Sequence, residues 1–207
     1  LSHKLAVFAG GWDFLAAEAV CRAAAPLAEG TLEGLQALLD KHLVGRSAGA
    51  APGPGEGEWR FAMLETIREY AQERLGARGE APAVQGAHAR YYGALAQAAA
   101  PALHGPHQIQ WLDRLDADHA NLRVALAQLR GERDAEGMAA MAGALLWFWF
   151  ARGYLAEGRR WLEEALALVE EAGTRSETVP PATRAQLHYA IGQVAAFTAD
   201  HRVPIER

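Results

Sequence analysis

The pattern of apolar and polar positions predicts a mainly helical chain. Apolar residues recur at steps of three and four over most of the 207 residues, as at Leu32, Leu35 and Leu39. This spacing places the apolar side chains on one face of a helix, where they can pack against neighbouring helices. Only residues 43–44 and 59–61 have the short apolar or alternating character that indicates strands. The expected fold class is therefore all-α with a short β-hairpin.

Residues 1–80 are predicted to form a first domain with the element order of a winged helix. A Gly-Gly pair stops the first helix, Asp13 caps the second, and a third begins at the capping residue Thr31. The third helix is expected to pack through Leu32, Leu35, Leu38, Leu39 and His42. A strand, a loop rich in Gly, Ala and Pro at residues 47–57, and a returning strand follow.

Residues 81–207 are predicted to form a second, helical domain. A helix at residues 63–75 closes the first domain, and the Gly- and Pro-containing stretch at residues 76–82 marks the boundary. Beyond it, apolar periodicity indicates one helix at about residues 91–103 and a longer one at residues 109–129.

The remaining chain is expected to contain paired antiparallel helices. Helices at residues 135–151 and 155–171 flank a turn at Gly153. Residues 153–166, with the sequence GYLAEGRRWLEEAL, resemble the second helix of a tetratricopeptide repeat. The last helix resembles a first helix of such a repeat through Ala185, Leu187, Ile191 and Ala195. The resemblance implies an incomplete helical-repeat array.

Two segments of the first domain carry a second resemblance. Residues 61–75 read FAMLETIREYAQERL and residues 5–12 read LAVFAGGW. Together they resemble the region that follows the nucleotide-binding core in bacterial signal-transduction ATPases of the STAND class, which includes multidomain transcriptional regulators. The resemblance implies a regulatory module whose ATP and Mg²⁺ would belong to a neighbouring domain, because this chain contains no phosphate-binding loop.

Composition narrows the possible partners and compartment. The net charge of -5 leaves no positive field that could neutralise nucleic acid or an anionic membrane. The single cysteine, Cys21, cannot form an internal disulfide and is expected to be a buried thiol in the cytoplasm. The longest apolar run, residues 138–151, is shorter than the about 20 residues needed to span a membrane. Because the sequence starts at Leu1 and not Met, we expect a piece of a longer reading frame.

No constellation of residues predicts catalysis or metal binding. His104 and His107 flank a Gly-Pro turn that would not align two imidazoles, and no cysteine completes a ligand set. The acidic patch at Asp113, Asp116 and Asp118, followed by His119, is predicted to be a solvated helix face. We therefore expect a chain that is not an enzyme and that holds no cofactor or metal.

A DNA-binding regulator that uses the winged helix directly is the alternative. Its candidate recognition helix, residues 31–42, carries Glu33 and Asp40 against Lys41 alone. The wing adds only Arg46 and Arg60, near two glutamates. These charges argue against direct DNA contact through this chain.

The densest aromatic segment, residues 147–150, is the candidate partner site. Successive helical residues turn by about 100 degrees, so at least one of these rings should point away from the local core. The candidate partner or ligand surface comprises Trp147, Trp149, Arg152 and Tyr154. The expected partner is a protein or peptide, including an intramolecular nucleotide-binding domain, and the competing interpretation of the aromatic segment is core packing alone.

Overall fold

The computed structural model describes residues 1–24, 30–46, 59–174 and 180–200 and is mainly α-helical, which confirms the fold class. The helices are α1 (Ser2–Leu5), α2 (Phe14–Ala24), α3 (Thr31–Asp40), α4 (Glu65–Ala77), α5 (Ala81–Ala102), α6 (Gln108–Ala117), α7 (His119–Glu132), α8 (Ala135–Arg152), α9 (Leu155–Thr174) and α10 (Pro181–Asp200). The strands are β1 (Gly11–Asp13), β2 (Val44–Arg46) and β3 (Arg60–Met63).

The first part of the chain has the expected winged-helix order with one strand more than expected. The strands β1, β3 and β2 form an antiparallel sheet in that order. Trp12 lies opposite Phe61, and Val44 lies opposite Met63. All four of these side chains are buried, so the sheet packs its apolar face against the helices. The additional strand, β1, is three residues long and begins with a glycine, which left no alternation to recognise.

The cap predicted at Asp13 is confirmed, whereas the start and packing face of α3 differ from expectation. The amide of Ala16 donates to Asp13 Oδ1 at 2.6 Å, which satisfies a backbone donor at the start of α2. Thr31 is the first residue of α3 and no cap, since Gly30 precedes the helix. Of the predicted apolar face, Leu35 and Leu38 are buried, but Leu32 and His42 are exposed.

The second part consists of α5 to α10. The predicted long helix at residues 109–129 is in fact two helices, α6 and α7, separated at Asp118. The predicted pair at residues 135–151 and 155–171 is confirmed as α8 and α9. Gly153 adopts a φ of 77° between them, a left-handed conformation that costs a glycine little.

Helix α8 is flanked by α7 and α9, which run in the same direction. Arg123 on α7 pairs with Glu157 on α9, and two helical turns further along Arg130 pairs with Glu164. Exposed pairs of this kind contribute about 0–1 kcal/mol each. They set the register of the two helices more than they stabilise the fold.

One continuous apolar core extends through both parts of the chain. Helix α5 packs against α2 of the first part and against α7 and α8 of the second. Only a short turn containing Gly79, with a φ of 67°, separates α4 from α5. The two predicted parts therefore share a helix as a common wall.

The predicted loop at residues 47–57 and the last seven residues, 201–207, lie outside the described residues. Within the described ranges, no helix has the length and apolar character needed to cross a membrane.

A glycine-to-alanine exchange in α9 tests the packing of the α8–α9 pair. A Cβ on Gly158 would lie 2.7 Å from the Trp149 ring, closer than van der Waals contact allows. We expect Gly158→Ala to lower the free energy of unfolding by about 1–3 kcal/mol, the usual cost of overpacking. Chemical denaturation monitored by circular dichroism measures this change.

The matched control is Gly173→Ala in the same helix, where nothing lies within 4 Å of the added methyl group. It should be neutral or stabilise by up to about 1 kcal/mol, because alanine favours the helix. Equal effects of the two substitutions would contradict the close packing of Trp149 on Gly158.

Candidate partner-binding site

An open aromatic groove of about 650 Å³ lies between α8 and α10, with the end of α5 contributing to its wall. Its larger lining side chains are His104, Trp147, Phe150, Tyr189, Gln193 and Phe197. Residues 189, 193 and 197 are spaced by four, so they form one stripe along α10. The groove is therefore built by facing stripes of two helices.

Trp147 lies at the centre of the groove's aromatic contacts. Its ring centroid is 5.0 Å from that of His104 and 6.4 Å from that of Phe150. Phe150 in turn meets Phe197 edge to face at 5.3 Å. Trp147 is 40% exposed, so one ring of the segment points outward as expected. A side chain entering this groove would meet ring faces and edges instead of charged groups.

Trp149 does not line the groove. It is 1% exposed and packs against Gly158 of α9, where the missing Cβ makes room for the indole. The structure thus places this residue in the core between α8 and α9. Its role is to hold the two helices together at close distance.

Arg152 and Tyr154 lie beyond the groove and contact α6. The guanidinium of Arg152 pairs with Asp113 and lies 2.7 Å from Asp116 Oδ2 through its Nε. The hydroxyl of Tyr154 donates to Asp116 Oδ1 at 3.1 Å, and its ring packs on His119 with centroids 4.3 Å apart. These two residues tie the end of α8 to α6. The structure therefore separates the four predicted residues into three environments.

Sequence reasoning missed the groove residues His104, Tyr189 and Phe197. The stripe formed by Tyr189, Gln193 and Phe197 could have been recognised, because Leu187 and Val194 of the same helix are buried on another face. His104 carried no such signal, since it follows a helix end and reaches Trp147 only through the tertiary fold.

A buried polar junction connects the small sheet to the helices below it. Arg60, on β3, donates from Nη2 to Gly11 O at 2.8 Å, Ala117 O at 3.0 Å and Asp118 Oδ1 at 2.8 Å. Tyr92 on α5 donates to the same Asp118 oxygen at 3.4 Å. One guanidinium therefore joins β1, β3 and the break between α6 and α7.

Two further contacts belong to this junction. Arg114 on α6 pairs with Asp13 at 3.2 Å. Asn121 on α7 donates to Gly11 O at 2.9 Å and accepts from the amide of Ala9 at 2.8 Å. Such long-range bonds fix the sheet relative to the helices, since each buried group would be costly to leave unpaired.

The predicted solvated acidic face is wrong for Asp118 and His119. Asp118 is 2% exposed and paired with Arg60, and His119 is packed beneath Tyr154 with Nε2 3.1 Å from Glu157. Burial raises the pKa of Asp118 above its ordinary value, while the adjacent Arg60 opposes that rise. The other two carboxylates, Asp113 and Asp116, are partly exposed. The sequence showed their common spacing, but the ion-pair partners come from distant segments.

The surface considered for DNA offers few cations. Arg60 is engaged in the junction, so it does not add charge to this surface. Arg46 lies over the ring of Trp59 at 4.3 Å, a cation–π contact. Leu32 on α3 is 61% exposed beside the acidic Glu33. The described part of this surface is thus apolar and acidic more than basic.

Cys21 is buried, as expected. Burial raises the pKa of its thiol to about 11, which disfavours the thiolate that a nucleophile or metal ligand requires.

The chain is similar to proteins that are named as transcriptional regulators. Over 166 residues the chain is 34% identical to proteins of Mycobacterium bovis and Mycobacterium tuberculosis that are provisionally named HTH-type transcriptional regulators. The match covers 80% of this chain and only 18% of each relative. No protein-family model matches the chain. No solved structure matches it either. The chain therefore corresponds to less than a fifth of the length of these relatives.

Removing the charge of Asp118 tests the buried junction. Asp118→Asn keeps the shape of the side chain but leaves the guanidinium of Arg60 without a counter-charge in a buried site. We expect a loss of about 3 kcal/mol in the free energy of unfolding, measured by chemical denaturation. The control Asp113→Asn, at a partly exposed pair, should cost less than about 1 kcal/mol. If both variants lose a similar free energy of unfolding, the buried Arg60–Asp118 pair contributes no more to stability than the partly exposed Arg152–Asp113 pair.

The buried His88 predicts a pH dependence of stability. Burial lowers its pKa from 6.5 to about 4, so the unfolded chain binds a proton more readily between these values. Unfolding then takes up a proton, and the free energy of unfolding falls as pH is lowered from 6.5 to 4. With about 1.36 kcal/mol per pKa unit, the loss is at most about 3 kcal/mol.

This dependence is measured by denaturation at a series of pH values. A His88→Gln variant should lose most of the slope between pH 6.5 and 4, although carboxylates elsewhere will keep part of it. If His88→Gln keeps the full pH dependence of the parent chain, His88 does not cause it. The folded chain would then protonate His88 as readily as the unfolded chain does.

Proposed function

We propose that this chain is a non-catalytic regulatory and protein-interaction portion of a transcriptional regulator. The aromatic groove between α8 and α10 is the observation that carries this proposal, because it offers a partner several ring surfaces in one open cleft. The similarity to regulators supplies the biological context. The partner is a protein or peptide that inserts apolar side chains into the groove.

Structural roles for the buried charged groups support a non-enzymatic function. Arg60 pairs with Asp118, and Arg114 pairs with Asp13, both at the junction between the sheet and the helices. Neither pair borders the aromatic groove. An active site would bring ionisable side chains with shifted pKa values to a cleft. The groove has an apolar lining with His104 and Gln193 at its polar positions.

The groove and the winged-helix-like part are connected by α5, which supports a regulatory mechanism. Helix α5 ends at the groove and packs along α2. A partner that binds one arrangement of the regulator more tightly than another shifts the population toward that arrangement. We propose that the first part contacts a STAND-type nucleotide-binding core outside these residues, in the cytoplasm, and that ATP and Mg²⁺ bind there.

The neighbouring coding sequence tests this part of the proposal. A phosphate-binding loop followed by an acidic metal-binding strand, encoded upstream in the same reading frame, would support it. A different domain in that position would remove the ATPase from the proposal and leave the interaction module.

Direct DNA contact through the winged-helix-like part is the second candidate function. The comparisons favour it more than they favour the ATPase, since the relatives' name specifies the HTH type. The name does not say which part of the relatives contains the HTH element. The charges of the described surface argue against it, because the two cations Lys41 and Arg46 are matched in number by the acidic Glu33 and Asp40.

A salt titration separates the two candidates. We expect the whole chain to bind duplex DNA weakly and with a shallow dependence on salt, because few cations are available to release counterions. Fluorescence anisotropy with a labelled duplex measures this binding, and Lys41→Glu should change it little. Tight, steeply salt-dependent binding that falls about tenfold or more in Lys41→Glu would establish the DNA-binding candidate instead.

A substitution in the groove tests the interaction module. In the organism that encodes the chain, we expect Trp147→Ala to change the transcripts that respond to deletion of the gene. The reason is that buried aromatic anchors contribute much of the binding energy at interfaces, often 2 kcal/mol or about thirtyfold in affinity. The chain's abundance and melting temperature are measured in parallel.

The matched control is Tyr70→Ala on α4, an exposed aromatic side chain outside the groove. It should leave those transcripts unchanged. Normal transcription in the Trp147 variant, with normal abundance, would exclude the groove as the partner site.

A further inference from the structure

The buried polar junction between the sheet and the helices contains two carboxylates and two guanidiniums. The sheet contributes Asp13 from β1 and Arg60 from β3, and the helical side contributes Arg114 from α6 and Asp118 from its end. Both ion pairs cross the junction, Arg60 to Asp118 at 2.8 Å and Arg114 to Asp13 at 3.2 Å. Each side of the junction therefore supplies one positive and one negative group to these pairs.

The two charges of the sheet are placed to pair with each other. Asp13 lies directly opposite Arg60 in the antiparallel register of β1 and β3. Side chains at such positions lie on the same face of a sheet, with Cβ atoms about 4.5–5.5 Å apart. The carboxylate of Asp13 already interacts electrostatically with the guanidinium of Arg60. An ion pair within the sheet therefore requires a change of side-chain torsions and no change of strand pairing.

The two charges of the helical side are placed in the same way. Arg114 and Asp118 are four residues apart, and the amide of Asp118 donates to the carbonyl of Arg114 at 3.0 Å in the helical pattern. Residues with this spacing are neighbours on a helix surface, where opposite charges attract each other. The guanidinium of Arg114 already interacts electrostatically with Asp118. Every charge of the junction thus has one partner across it and a second partner on its own side.

This second set of partners lowers the cost of opening the junction. Breaking a buried ion pair is costly mainly because one charge stays behind without a partner. An exchange of partners leaves no charge alone, and Arg60 keeps its hydrogen bond to Gly11 O, which belongs to its own sheet. The other hydrogen bonds that opening breaks join Arg60 to Ala117 O and Asn121 to Ala9 and Gly11. Water can replace each of these partners once the junction is open.

We propose that this junction is a conformational switch with two pairings. In the closed pairing, which the structure shows, Arg60 binds Asp118 and Arg114 binds Asp13. In the open pairing, Asp13 binds Arg60 and Arg114 binds Asp118, while the face of the sheet separates from the break between α6 and α7. Neither side unfolds in this change. The switch goes beyond the proposed function, because it resides within this chain and needs no partner protein.

Hydrogen exchange of the Ala9 amide measures the opening. This amide donates to Asn121 Oδ1 across the junction at 2.8 Å, so it exchanges when the junction opens. The amide of Leu126, a buried residue inside α7, reports unfolding of the helical part and is the reference. Native-state exchange of the full ¹⁵N-labelled chain is followed by NMR. We expect the Ala9 amide to be at least about a hundredfold less protected than the Leu126 amide.

Substitution of the helix-side charges distinguishes a switch from two independent ion pairs. Arg114→Met leaves Asp13 without its partner in the closed junction, and Asp118→Asn does the same to Arg60. Each single substitution should speed exchange of the Ala9 amide about tenfold or more, relative to Leu126. In the double variant, Asp13 and Arg60 pair with each other, so the rate should return to within about threefold of the parent rate. Independent pairs would multiply the two single effects, to about a hundredfold.

The matched control is Asp113→Asn, which removes a charge of α6 that pairs with Arg152 outside the junction. It should leave exchange of the Ala9 amide unchanged. Three results would overturn the proposal. The first is an Ala9 amide that is as protected as Leu126 in the parent chain, because the junction would then open only with the helical part. The second is unchanged Ala9 exchange in both single variants, and the third is multiplied effects in the double variant.

Discussion

The guanidinium of Arg60 is the contact on which the arrangement of the whole chain depends. It reaches from β3 to two backbone carbonyls and to the buried carboxylate of Asp118, and so joins the sheet to the break between α6 and α7. A buried pair of this kind adds little net stability compared with an apolar replacement, but it is costly to break. Its partners also have fixed directions. We infer that it specifies the angle between the sheet and the helices more than it stabilises either one.

Helix α5 connects the two parts of the chain. It packs against α2 in the first part and against α7 and α8 in the second, while its end contributes to the aromatic groove. A partner in the groove therefore contacts a helix that both parts share. This geometry is suited to regulation, because a packed core transmits a displacement instead of absorbing it.

The two tryptophans of α8 point in different directions, and only Trp147 lines the aromatic groove. Gly158 lets the indole of Trp149 pack between α8 and α9. Trp147, two residues earlier and so about 200 degrees around the helix, lies on the other side of α8 and is partly exposed. There Trp147 meets His104, and Phe150 meets Phe197 of α10. Consecutive aromatic residues thus serve two purposes, one in the core and one at a surface. Arg152 and Tyr154, which follow them in the chain, both contact Asp116 and so attach α6.

The sequence by itself determined the helical class, the winged-helix order, the cap at Asp13 and the turn at Gly153, because these depend on local spacing and backbone preference. It also predicted that one ring of residues 147–150 would point outward. Only the tertiary structure shows that this ring is Trp147 and that Asp118 is buried. Strand β1, the partners of Arg60 and the place of His104 in the groove likewise join residues far apart in the chain. Such contacts leave no periodic signal, since each depends on the packing of several elements at once.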